Sequence, residues 1–167
     1  GFYGGKVDNL LMRFMDILLA IPSMLLAIAI AAALGGSLFN LMLAISISSV
    51  PGYARIVRGS VMSIKDQEFV EATKVIGASN ARLIFRHMIP NALAPIIVQA
   101  TLGIAGAIIC ACGLSYLGLG IQPPVAEWGT MLSSARQYIR SYPYMVIFPG
   151  LTIMISVGAF NLLGDGL

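Results

Sequence analysis

Polar positions along this chain are bunched rather than scattered. Residues 17–54 hold no charged side chain, residues 55–86 hold nine, and residues 88–126 again hold none. A polar island between two such apolar stretches belongs at a membrane surface. The opening segment, Lys6 to Asp16, mixes Lys6, Asp8, Arg13 and Asp16 with Val7, Leu10, Leu11, Phe14 and Met15. That pattern predicts the start of an amphipathic helix at the interface. Arg13 and Asp16, three apart, are expected to pair on one face of it.

Ile17 to Leu34 predicts a first span, long enough at about 1.5 Å per residue to approach a bilayer core of roughly 30 Å. Pro22 falls in its first turns, where proline is tolerated. Gly35-Gly36-Ser37 breaks the helix, and Asn40 is expected to help cap the next one. Leu38 to Tyr53 predicts a second span, with Ser46, Ser48 and Ser49 at a packing face and Pro51-Gly52 bending its exit. Asn91 to Cys112 predicts a third. Gly113 to Pro143 reads as a loop with boundary aromatics Trp128, Tyr138 and Tyr142. Met145 to Leu163 predicts a fourth span, interrupted by Pro149-Gly150.

Four spans put both ends of the chain and the island on one side. That side holds eight Lys/Arg (Lys6, Arg13, Arg55, Arg58, Lys65, Lys74, Arg82, Arg86) against Arg136 and Arg140 opposite. The excess assigns the island to the cytoplasm.

Inside the island, Asp66 is placed to cap a helix of about ten residues. Glu68 suits its first turn, and Gly77 its C-terminal stop. Phe69, Ala72, Thr73 and Ile76 recur at i, i+3, i+4 and i+7, forming an apolar stripe to bury. Glu71 lies nearly opposite Phe69. Ser79 or Asn80 caps a second helix that runs through Arg82 and Arg86 until Pro90 ends it.

Composition narrows the classes. The 167 residues are 58% hydrophobic and 10% charged, with mean hydropathy +0.90, where a soluble domain carries about 25% charged residues. No basic patch interleaves with aromatics, which argues against a nucleic-acid partner. Cys110 and Cys112 lie two apart on a predicted helix, on opposed faces, and read as packing residues. The chain has no phosphate-binding Gly-rich loop with Lys and Ser/Thr, so ATP is not its own cofactor. His87, the single histidine, has no neighbours for a hydrolytic triad, so no catalytic residue is assigned. The methionines read as lipid-facing or packing residues and not as a metal path. The chain starts at Gly1 without methionine and stops just after an apolar span, as part of a longer protein would.

Arg55-Ile-Val-Arg58-Gly59, Glu71-Ala72-Thr73-x3-Gly77 and Arg86-His87-Met88-Ile89-Pro90-Asn91 together resemble the permease subunits of ABC importers. Gly4-Gly5-Lys6-Val7-Asp8, Ser115 through Pro124 followed by Trp128-Gly129, and Asn161 through Leu167 resemble the peptide/nickel branch. Thr73, His87 and Ile89 depart from the general loop pattern and read as branch character. The resemblance implies an all-α polytopic bundle of the type I importer kind. One transmembrane domain would cover residues 1–167, with a cytoplasmic coupling loop at 55–90 and an extracytoplasmic loop at 113–143. It implies that Phe69, Glu71, Ala72, Thr73, Ile76, Gly77 and Pro90 couple the chain to a separate ATP-binding subunit holding ATP and Mg²⁺. It implies a second, related permease chain and an extracytoplasmic binding protein facing Gln122, Pro123 and Trp128. The cargo would be small peptides or nickel complexes, with selectivity mostly in the binding protein. An ATP-independent secondary transporter or channel is the alternative, and the charge-free spans argue against it, because coupling needs membrane-buried ionisable residues.

Overall fold

The computed structural model describes residues 1–167 and is entirely helical. The elements are α1 (Gly5–Leu19), α2 (Ser23–Leu34), α3 (Leu38–Lys65), α4 (Glu68–Val75), α5 (Asn80–Arg82), a π-helical turn (Leu83–Met88), α6 (Ile89–Tyr116), α7 (Trp128–Ala135), a 3₁₀ turn (Arg136–Tyr138) and α8 (Tyr144–Asp165). Two stretches, Asn80–Tyr116 and Tyr144–Asp165, are long and apolar enough to cross a membrane, and α1 with α2 makes a third, broken candidate.

Several boundaries differ from the sequence reading. Ile17 to Leu34 is not one helix. α1 ends at Leu19, and Pro22, in extended conformation, precedes the first residue of α2 instead of sitting inside a turn. The twelve residues of α2 reach only about 18 Å at 1.5 Å per residue. Ser37, not Asn40, caps α3, its Oγ accepting from the Asn40 amide at 3.1 Å. The Asn40 side chain turns back and donates to the Leu34 and Gly35 carbonyls at 2.7 and 3.1 Å, closing the end of α2. α3 does not end near Tyr53 but runs on to Lys65 with Pro51 buried inside it. Ser48 and Ser49 both donate to the Ile45 carbonyl one turn back, at 2.9 and 2.8 Å, rather than across to another helix. Asn40, the serines and Arg55 dilute the apolar run of α3, which is why it falls outside the candidate spans. Nor is α8 interrupted at Pro149, which is buried within the helix.

The fold divides into two compact units. In the first, comprising residues 1–20, 50–100 and 167, the core is Ile64, Val70, Leu83, Met88 and Ala92, with Phe2, Val61, Ala78 and Ile96 against it. The second comprises residues 21–49 and 101–166. Its core is Ala27 and Ala31 of α2, Leu41 and Ala44 of α3 and Leu114 of α6. Three alanines among five residues let helix backbones approach closely, as packing in lipid favours. Gly164 of α8 meets Leu102 of α6 by the same device.

Candidate functional site

The island folds around α4. Asp66 does not cap it. Gln67, in extended conformation, occupies the N-cap without a side-chain bond. The helix is eight residues long, shorter than expected because the cap falls one residue later and the last turn closes early. That closure is a Schellman motif. The Gly77 amide donates to the Lys74 carbonyl at 3.0 Å and the Ala78 amide to the Thr73 carbonyl at 3.3 Å. Gly77 takes φ +81° to allow it.

The expected buried stripe is not the one that packs. Val70 has 0% exposure, whereas Phe69 is 37% and Ile76 83% exposed. Val70 enters the cluster of Ile64, Leu83, Met88 and Ala92. The short connections at both ends of α4 fix its rotation, and they turn Val70 inward. Glu68, Ala72 and Val75, at i, i+4 and i+7, share the opposite face. All three are exposed, Val75 by 86%. Glu71 is exposed beside them. Thr73 is half-buried and spends its hydroxyl on the Phe69 carbonyl at 2.6 Å. The Phe69 ring lies tilted 6.5 Å from His87.

After α4, Ser79 caps α5 as anticipated, its Oγ accepting from the Arg82 amide at 3.4 Å. Pro90 does not end that helix, which continues to Tyr116. The Ile89 amide donates to the Ile84 carbonyl, five residues back. This widened turn lies where the proline ring would otherwise press on the preceding turn. Asn91 Nδ2 covers the His87 carbonyl at 2.6 Å. Thus α4 sits by Ile64 of α3 and by Leu83 and Met88 of the π turn through Val70, its one buried residue, with Phe69 beside His87 as a more exposed second contact.

Arg13 and Asp16 do not pair. Asp16 accepts from Arg55 at 2.7 Å, and Asp8 accepts from Nε and Nη2 of Arg58 at 2.9 and 2.8 Å. These pairs tie α1 to the island half of α3. Arg55 and Arg58 sit three apart on one helix, and acids at 8 and 16 balance them, but local spacing could not show that the two helices meet.

The stretch 113–143 is more than a connector. α6 runs on to Tyr116, and α7 and the 3₁₀ turn follow. Trp128 opens α7 and is partly exposed, Gly129 is buried, and Pro123 lines an open apolar groove of about 410 Å³ with Met131, Tyr144 and Phe148. Gln122 is exposed but turned homeward, donating to the Gly118 carbonyl at 2.8 Å. The structure brings Pro123 to the groove and leaves Gln122 and Trp128 out of its lining. Glu127 caps α7, accepting from the Thr130 amide at 2.8 Å. The signal for it, an acid three residues before Thr130, was present in the sequence.

Known proteins give a consistent setting. The chain is 54% identical, over its full length, to the dipeptide transport system permease protein DppC of Alkalihalophilus pseudofirmus. It is 52% identical to the di/tripeptide transport system permease protein DppC of Pseudomonas aeruginosa. Over 99% of its length it is 47% identical to the glutathione transport system permease protein GsiD of Escherichia coli O157:H7. It spans 55% of the length of each. Residues 1–167 match the family of binding-protein-dependent transport system inner membrane components. This chain therefore belongs to that family of inner-membrane transport components.

Proposed function

We propose that the chain is the membrane-spanning permease part of an ATP-driven ABC importer for short peptides, moved by a separate ATPase through α4. The observation that carries this is the mounting of α4. A single buried residue, Val70, seats it on α3 and on the turn leading into the 37-residue helix Asn80–Tyr116. The face opposite Val70 stays open. A short helix mounted in this way transmits a push on its outer face to both supports as a rigid body. Phe69, Glu71, Ala72 and Ile76 form the contact with the ATPase subunit. Thr73 and Gly77 shape the helix end, and Pro90 sets the widened turn that receives the motion.

In this reading the chain is one transmembrane domain with four spans: α2 with the end of α1, the first half of α3, α6, and α8. The basic excess keeps residues 55–90 in the cytoplasm. Gln122, Pro123 and Trp128 face an extracytoplasmic binding protein, and a second, related permease chain completes the pathway. ATP and Mg²⁺ bind the partner ATPase. The relatives named for dipeptides, di/tripeptides and glutathione favour peptides over nickel complexes as cargo.

The test uses the full-length permease expressed with its ATPase subunits. Glu71→Lys and Gly77→Pro should leave membrane insertion intact and sharply reduce the ATPase recovered with the permease. Recovery equal to that of the unaltered protein, in both variants, would overturn the coupling role of α4.

A further inference from the structure

α1 wears its polarity inside out. Its acids, Asp8 and Asp16, turn toward α3 and are held there by Arg58 and Arg55. The partly covered side chains Met12 and Met15 lie on the same side as Asp8. Away from α3, Val7, Leu10, Phe14 and Ile17 recur at i, i+3, i+7 and i+10, and each is more than half exposed. No residue of α1 is fully buried. Lys6 and Arg13, seven apart and both exposed, run along one edge of that apolar face, and neither makes an ion pair.

Two features identify what covers the face. In the core of the second unit the helix contacts are built largely from alanine, at Ala27, Ala31 and Ala44, in keeping with close helix packing in lipid. The α1 face holds only large side chains, Val7, Leu10, Phe14 and Ile17. Its charge is also one-sided. With Asp8 and Asp16 each paired to an arginine of α3, the surface offers apolar bulk edged by two cations. An anionic lipid leaflet complements both parts, acyl chains under the large residues and headgroups beside the basic edge.

We propose that α1 is an interfacial site for anionic phospholipid. Lys6 and Arg13 hold the headgroup, and Arg55 and Arg58 act as positioning residues that keep the acids off the lipid side. The site would select the lipid around the permease irrespective of cargo.

The experiment places a bimane label at Phe14→Cys in full-length permease carrying Cys110→Ala and Cys112→Ala, assembled with its partner subunits in phosphatidylcholine vesicles. Small equal fractions of brominated phosphatidylglycerol or brominated phosphatidylcholine are then added. Quenching by the glycerol lipid should exceed that by the choline lipid on the order of fivefold, the effect of a basic residue or more at the surface. Lys6→Gln with Arg13→Gln should abolish the preference and keep the quenching. Arg55→Gln should reduce the preference, because Asp16 is then free to neutralise Arg13. Equal quenching by both lipids in the unaltered protein would overturn headgroup selection. No quenching by either would show that protein or water covers the face and would overturn the site. Neither result depends on peptide transport or on ATPase recovery.

Discussion

Two helices of equal length, α4 (Glu68–Val75) and α7 (Trp128–Ala135), are held in opposite ways. Each has eight residues. α7 buries Gly129, Thr130 and Ala135, and the Glu127 side chain caps its first turn. α4 buries Val70 alone and has no side-chain cap. α7 is wedged against backbone, whereas α4 is pinned by one side chain and ends in a single glycine turn. Few buried contacts and an open outer face are the marks of a segment that opens locally at low cost. A helix meant to receive a partner needs that exposure, while a helix that only fills a surface does not.

The sharpest way to break the comparison is at Gly129. A methyl group there would run into the Cys112 carbonyl oxygen and lie 2.8 Å from the Cys112 Cα. Those atoms are helix backbone and have no rotamer to retreat into. Gly129→Ala should therefore cost about 3 kcal/mol or more, at or above the upper end of the usual overpacking penalty. Thermal unfolding of the purified protein in detergent would measure it. An unchanged melting temperature would mean that α7 is not wedged and that the contrast with α4 fails.

The opposite anchor is next in size. Val70→Ala removes two methyl groups from a fully buried site and should cost roughly 2 kcal/mol from transfer and cavity terms together. The loss should be local. Amide exchange across residues 68–76 should accelerate while α7 amides stay as they were. Acceleration spread evenly over both units would show that α4 is welded into a larger cooperative block. Protection unchanged at α4 would show that Val70 is not its pin.

The sequence carried the helical class, the polar island, Gly77 as a stop and Ser79 as a cap, because each rests on nearby residues. It misjudged which side of α4 is buried. The apolar stripe through Phe69 and Ile76 was real as a pattern, but the lengths of the connections decide rotation, and the inward residue is Val70. It also ended helices near Pro51, at Tyr53, and at Pro90, where the chain instead continues. A proline forfeits one backbone bond, and packed or locally widened helices absorb that loss. The pairs Asp8–Arg58 and Asp16–Arg55 span 50 and 39 residues, beyond the reach of any local periodicity. Of the candidate site, the α4 residues were legible as a group and their roles were not. At the other candidate, the homeward turn of Gln122 is a loop closure onto the Gly118 carbonyl, four residues back, that no motif read in the sequence encodes.

The smallest effect separates two reasons for glycine. At Gly129 the obstacle is space, but at Gly77 nothing lies within 4 Å of an added Cβ, and the obstacle is φ +81° alone. Gly77→Ala should therefore cost only about 1–2 kcal/mol, the strain of a left-handed alanine. Gly77→Asn should cost less, because asparagine enters that region more readily. Both variants should leave global unfolding nearly where it was and should fray the last turn of α4, seen as faster exchange at the Gly77 and Ala78 amides that close it. If alanine and asparagine behave alike, backbone conformation is not what Gly77 supplies. If either variant destabilises as much as Gly129→Ala, the end of α4 is gripped as tightly as the start of α7, and the difference between a pinned helix and a wedged one disappears.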